Sequence, residues 1–148
     1  MNKSRIEPQT CYELFEIECE KGWEKLYQPI IDKINEHNEK YPDNKIIINQ
    51  IKEKFAGLRF YADNTTEEID NMIREAEDKS YKVCEICGEE HNVGILNCNG
   101  WYSTMCMDCA KNNIMNRTRK PSNIIFKIED KIYTFDENNE FKLKEDRK

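Results

Sequence analysis

Two Cys-x-x-Cys pairs constrain this chain more than any other feature. Cys84-Glu-Ile-Cys87-Gly88 and Cys106-Met-Asp-Cys109 are separated by eighteen residues, a spacing at which two knuckles deliver four thiolates to one tetrahedral zinc ion. A two-residue gap lets a single turn present both of its sulfurs to the same ion, and Gly88 suits the positive φ that such a turn needs. Between the pairs, Ile95–Cys98 and Trp101–Thr104 flank Asn99-Gly100, the dipeptide preferred by a type I′ hairpin turn. After Cys106 the run Met-Asp-Cys-Ala-Lys-Asn-Asn-Ile-Met can start a helix.

Knuckle, hairpin and a helix carrying the second pair follow the order of a treble-clef finger, which residues 84–116 resemble. The competing reading of the cysteines is a disulfide pair or free thiols. Met1–Pro8 has no apolar stretch of the kind a secretion signal requires, and no segment is apolar enough to span a bilayer. A cytoplasmic location is therefore expected, where thiols stay reduced and paired Cys-x-x-Cys motifs read as metal ligands. Cys84, Cys87, Cys106 and Cys109 are the expected ligands of a structural zinc. Cys98 and His91 remain possible substitutes within that set, although the two complete pairs make both unnecessary. Cys98 is read as hairpin packing, and Cys11 and Cys19 as small core or surface thiols.

The 148 residues carry 23 Lys and Arg against 29 Asp and Glu, a formal charge of −6, with 35% charged and 38% hydrophobic residues. A core this modest benefits from a metal staple. The charge argues against broad affinity for a nucleic-acid backbone, which needs a concentrated basic face. It leaves room for a local basic pocket.

Thr10–Glu20 interleaves Glu13, Glu16, Glu18 and Glu20 with apolar residues, as an amphipathic strand or helix would. Trp23, Leu26, Tyr27, Ile30, Ile31 and Ile34 then form one apolar stripe of helical period. Pro29 lies inside it, so the helix either kinks there or becomes regular just before it. Tyr41-Pro42-Asp43-Asn44 reads as a turn. His37 falls at the helix end and is read as a solvent histidine. Thr65-Thr66-Glu67-Glu68 reads as a capping box with Thr65 as the cap, opening a helix with Ile69, Met72, Ile73 and Ala76 on its buried side.

Between these helices lies Gln50-Ile-Lys-Glu-Lys-Phe-Ala-Gly-Leu-Arg-Phe-Tyr61. Its alternation predicts a hairpin with Ala56-Gly57 as a two-residue turn. One face would bury Phe55, Leu58 and Phe60. The other would gather Lys52, Lys54, Arg59 and Tyr61, either as a solvated charged face or as an anion site, since Arg and Lys donate to phosphate while Tyr stacks on a base. Past the finger, a basic link at Arg117–Pro121 leads to three strand-like segments, Ile124–Ile128, Ile132–Phe135 and Phe141–Leu143. The expected fold is α+β, with helices packed on an antiparallel hairpin, an embedded four-cysteine treble-clef-like finger and a C-terminal β-meander. Its parts would be an α+β core over 1–83, the finger packed on it over 84–116 and a meander appendage over 121–148, together forming one compact domain.

Gly22-Trp23, the Gln50–Tyr61 run, the Ile69–Ala76 helix, the Cys84 knuckle and Gly100-Trp101 through Cys109 together resemble a family of small phage and prophage proteins. The resemblance covers residues 19–110, and its specific part is Lys-Glu-Lys-Phe-x-Gly-Leu-Arg-Phe-Tyr. Ala56 stands where that family usually has a second glycine. The resemblance implies a phage context and a compact zinc-bearing fold.

Three binding functions fit these features. The first is non-enzymatic sequestration of an anionic, nucleotide-like molecule, such as a cyclic or adenine nucleotide of immune signalling. In that reading Lys52, Lys54 and Arg59 hold phosphate, and Tyr61 or Trp101 stacks the base. The second is a module that binds or inhibits a host protein through the acidic N-terminal face. The third is a zinc-finger nucleic-acid binder. An enzyme lacks support: there is no phosphate-binding loop, no Gly-x-Ser-x-Gly and no His-Glu-x-x-His. A nuclease finger would need paired histidines where this one has only His91, and a four-cysteine zinc keeps no open position. The oligomeric state is open.

Overall fold

The structure, a computed structural model, describes residues 15–146. Within it the chain is α+β, with three α-helices and two sheets. Cys11, Tyr12, Glu13 and Leu14 lie outside the described residues. From Phe15 on, the acidic segment contributes a short strand, β1 (Ile17–Glu18), that runs parallel to β2 (Ile47–Lys54) with Ile17 beside Ile51. β2 pairs antiparallel with β3 (Gly57–Asp63), giving a three-stranded sheet in the order β1-β2-β3.

A single 3-10 turn at Lys21–Trp23 leads into α1 (Glu24–Lys40), which contains Pro29 in its second turn. The predicted stripe is the buried one: Leu26, Tyr27, Ile30, Ile31 and Ile34 join Trp23, Ile48, Ile51, Leu58 and Phe60 in one core. At the end of α1, Asn44 N donates to Tyr41 O at 3.0 Å and closes the expected turn. The Asn38 amide then brackets the next segment, accepting from Ile46 N at 2.8 Å and donating to Ile46 O at 3.0 Å.

α2 (Glu67–Lys79) buries Ile69 and Ala76. Its cap is Thr66, one residue later than expected, with Thr66 Oγ1 accepting from Ile69 N at 3.2 Å; Thr65 instead bonds Asp70. The helix tightens into a 3-10 turn at Ser80–Lys82 and covers the outer edge of β3. Ser80 Oγ accepts from Leu58 N at 3.0 Å and the Glu77 carboxylate from Phe60 N at 2.9 Å. Two edge amides that would otherwise invite a foreign strand are thus satisfied by side chains.

β4 (Val93–Cys98) and β5 (Trp101–Cys106) form the predicted hairpin, and α3 (Met107–Met115) follows at once. β6 (Ile124–Ile128), β7 (Lys131–Phe135) and β8 (Phe141–Asp146) are the expected meander. It is not a separate appendage in hydrogen bonding, because β6 pairs with β4 and one sheet runs β5-β4-β6-β7-β8. Phe126, fully buried, joins Leu96, Met105, Ala110 and Ile114 in a second core.

The two cores meet at the chain leading into the knuckle. Gly22 N donates to Glu85 O at 2.7 Å and the Trp23 indole N–H to Val83 O at 2.8 Å. A Cβ at position 22 would collide with the carbonyl oxygens of Cys84 and Glu85. Only glycine permits this approach. Among the described residues no helix is long and apolar enough to cross a membrane.

Candidate functional site

The four cysteines of the two pairs converge. The sulfurs of Cys84, Cys87, Cys106 and Cys109 all lie within 4.8 Å of one another, and neither His91 nor Cys98 belongs to this cluster. Cys98 is buried in the second core as hairpin packing. The knuckle is built by local bonds: Gly88, at φ 85°, donates to Cys84 O at 2.9 Å, and Cys84 N donates to Glu89 O at 2.8 Å. Lys25 of α1 clamps it from outside, its Nζ donating to Gly88 O at 2.5 Å and to Glu90 at 2.6 Å. The second pair sits at the start of α3, where Cys106 is the N-cap and its sulfur accepts from Cys109 N at 3.4 Å. The positive end of a helix favours anionic sulfur there.

The cluster is dimensioned for a metal rather than for a disulfide. Cys87 Sγ and Cys106 Sγ are 3.8 Å apart, whereas a disulfide requires about 2.05 Å. A tetrahedral ion holding sulfur at about 2.3 Å sets sulfur–sulfur edges near this observed spacing. The thiols differ in acidity. Burial pushes Cys84 up, but hydrogen bonds from the Cys106, Cys87 and Ile86 backbone outweigh it and leave the thiol lowered. Burial first, and the neighbouring Cys106 and Cys87 sulfurs next, hold Cys109 raised; Cys106 is raised chiefly by burial as well. A divalent cation bound by these sulfurs would displace their protons.

Cys19 is a different kind of thiol. Burial, then the charges of Glu85, Glu20 and Glu53, push it up to about 12. It is a poor nucleophile at neutral pH.

The Gln50–Tyr61 hairpin differs from expectation at its tip. The turn is Phe55-Ala56, at φ 52° and 71°, and not Ala56-Gly57. The Glu53 carboxylate accepts from Ala56 N at 2.8 Å and fixes the turn there. Gly57 starts β3 and is glycine because the Tyr81 ring lies where a Cβ would be. Leu58 and Phe60 are buried as predicted, but Phe55 is 77% exposed. A turn residue at the tip has no core to enter.

Thr104 Oγ1 donates to Ala56 O at 2.6 Å and ties this tip to β5. The second tip, Asn99-Gly100, turns at φ 53° and 89°. Between the two tips opens a cleft of about 500 Å³ lined by Glu53, Lys54, Phe55, Gly100, Trp101 and Tyr102. Trp101 is 74% exposed and Tyr102 49%. Lys54 Nζ lies 5.7 Å from the centre of the Phe55 ring.

Of the predicted ligand residues, the structure brings Lys54 and Trp101 into this cleft. Lys52 and Arg59 share the hairpin face with Lys54 and are directly opposite each other. Tyr61, paired with Gln50, lies four residues beyond Gly57, about 13 Å along the strand, and does not reach the cleft. Phe55, Tyr102 and Glu53 are lining residues that sequence reasoning missed. The strand alternation places Phe55 on the buried face, and no sequence signal brings the two tips together.

Comparison of the chain with protein families, curated proteins and solved structures returns no match. The fold and the sulfur cluster define an α+β protein with a four-cysteine centre able to hold a metal ion.

Proposed function

We propose that this chain is a non-enzymatic binding protein that captures an anionic, nucleotide-like small molecule in the cleft between its two hairpin tips. Zinc, held by Cys84, Cys87, Cys106 and Cys109, is its structural staple. The observation that supports this reading most is the placement of Lys54 beside the exposed rings of Phe55, Trp101 and Tyr102. A nucleobase stacks on such rings, and a cation at the rim takes its phosphate. In a chain of net charge −6, this pairing of cation and aromatics selects a compact anion rather than a long nucleic-acid backbone. In the phage setting that the Lys-Glu-Lys-Phe-x-Gly-Leu-Arg-Phe-Tyr motif suggests, such a protein would act in the host cytoplasm by withdrawing a signalling nucleotide.

Calorimetry with nucleoside phosphates, cyclic and linear, tests the proposal. A binder releases its ligand chemically unchanged. Trp101→Ala removes one stacking surface, worth about 1–3 kcal/mol per base, or roughly tenfold to hundredfold in affinity. Melting should stay unchanged because the ring is largely in solvent. The absence of heat with every nucleotide would defeat the reading. A second reading, docking of a host protein, draws on the same exposed rings, since exposed aromatics anchor interfaces. It would be favoured if a captured protein were lost in Trp101→Ala but retained in Lys54→Ala.

A further inference from the structure

We infer that the ligand of this cleft carries at least two phosphate groups, the first at Lys54 and the second further down the hairpin, between Lys52 and Arg59. The inference rests on the cleft reading above and assigns the part of the ligand that the cleft itself does not hold.

Lys52 stands directly opposite Arg59 across β2 and β3. Like charges facing each other across a sheet repel; Glu18 stands beside Lys52 and the charge of Glu77 acts on Arg59, but neither forms an ion pair with them among the described residues. Among the described residues, the ion pairs engage Lys25, Lys33, Lys79 and Lys111, and none involves Lys52, Lys54 or Arg59. Both carboxylates also accept a hydrogen bond from a neutral donor. Glu18, the β1 neighbour of Lys52, accepts from Gln50 at 2.6 Å, and Glu77 accepts from Phe60 N at 2.9 Å.

Arg59 is also oriented. Its Nη1 donates to Leu58 O at 3.0 Å and its Nη2 to Tyr81 Oη at 3.3 Å. The bare Gly57 is what lets Tyr81 lie close enough to make that bond. A guanidinium has five N–H groups, so a fork held by two bonds still has donors for a phosphate and loses little freedom in binding one. Lys54 and Lys52 are two residues apart on one face, about 6.7 Å along the strand. A cation at the cleft, followed by a facing pair one step away, matches an anion whose charge extends away from a stacked ring. A single phosphate at Lys54 would leave the facing Lys52 and Arg59 without an anion between them.

The test compares one base as nucleoside, monophosphate, diphosphate and triphosphate, together with inorganic pyrophosphate. Binding is followed by calorimetry and by fluorescence of Trp101. Trp23, buried and bonded through its indole N–H, provides a constant background. The expected result is binding of the diphosphate at least tenfold tighter than the monophosphate. Lys52→Ala and Arg59→Ala should each shrink that difference to less than about threefold, because each removes a cation from the second phosphate's site. Equal affinity of the wild-type protein for monophosphate and diphosphate would overturn the inference and leave the cleft reading standing. Failure of every nucleotide to bind would overturn both. The wild-type comparison decides the question even where a variant folds poorly.

Discussion

Phe55 shows how a single residue trades stability for surface. It occupies the left-handed first position of a two-residue turn, at φ 52°, where a bulky side chain is disfavoured by roughly 1 kcal/mol. It gains little burial in return, being 77% exposed. The other tip solves the same geometrical problem with Asn99-Gly100, the pair that type I′ turns prefer. Strain retained at an exposed aromatic is the pattern of a residue kept for contact rather than for folding. Phe55→Asn should therefore stabilise the fold by about 0.5–1 kcal/mol, a rise in Tm of about 1–4 °C for a chain of this size. The same change should weaken ligand binding by removing a wall of the cleft. A lower Tm in the variant would show that the Phe55 ring packs more than its exposure implies.

At the scale of elements, the joint between the two cores carries an acid that no ion pair among the described residues engages. Glu85 is 7% exposed, and its carboxylate accepts from Glu20 N at 3.1 Å. Burial, opposed by that hydrogen bond but reinforced by the charges of Glu53 and Glu20, pushes it up from 4.5 to about 7. The folded state thus holds a proton that the unfolded chain releases. The carboxyl's contribution is most favourable below about pH 4.5 and is lost as pH rises through about 7. Glu85→Gln removes the titration while keeping an acceptor for Glu20 N. It should be more stable than wild type at pH 8, by on the order of 2 kcal/mol, with the difference vanishing below about pH 4.5. Parallel melting curves for the two proteins across that range would count against a buried, uncompensated carboxylate. Metal release at low pH affects both proteins alike, so the difference between them isolates Glu85.

For the molecule as a whole, what the sequence revealed was local and periodic. The α1 stripe, the Asn99-Gly100 turn, the Cys-x-x-Cys pairs and the three meander strands each declare themselves within a few residues. The features that escaped depend on distant partners. β1 pairs in parallel with residues more than thirty positions away, β6 joins β4 across the whole of α3, and the cleft lies beside the point where Thr104 ties the Phe55-Ala56 tip to β5. The Thr65-to-Thr66 shift of the α2 cap was a choice between adjacent threonines that only the tertiary path of the chain decides. The same division predicts how the protein comes apart. The first core owns Trp23, five isoleucines of α1 and β2, Leu58 and Phe60, whereas the second is smaller and includes two of the proposed zinc ligands, Cys84 and Cys106, among its buried residues. Binding energy at a closed thiolate site is folding energy for the elements it joins. Stripping the metal with a chelator, or replacing Cys84 or Cys106 with Ser, should therefore lower Tm sharply and loosen β4, β5 and α3 first. Amide exchange should rise there while α1 and β2 remain protected. Cys19→Ala, a thiol outside the cluster, should leave metal content at one ion per chain. Elemental analysis and exchange measurements check both halves, and a metal-free protein with unchanged melting would remove the staple from this account of the fold.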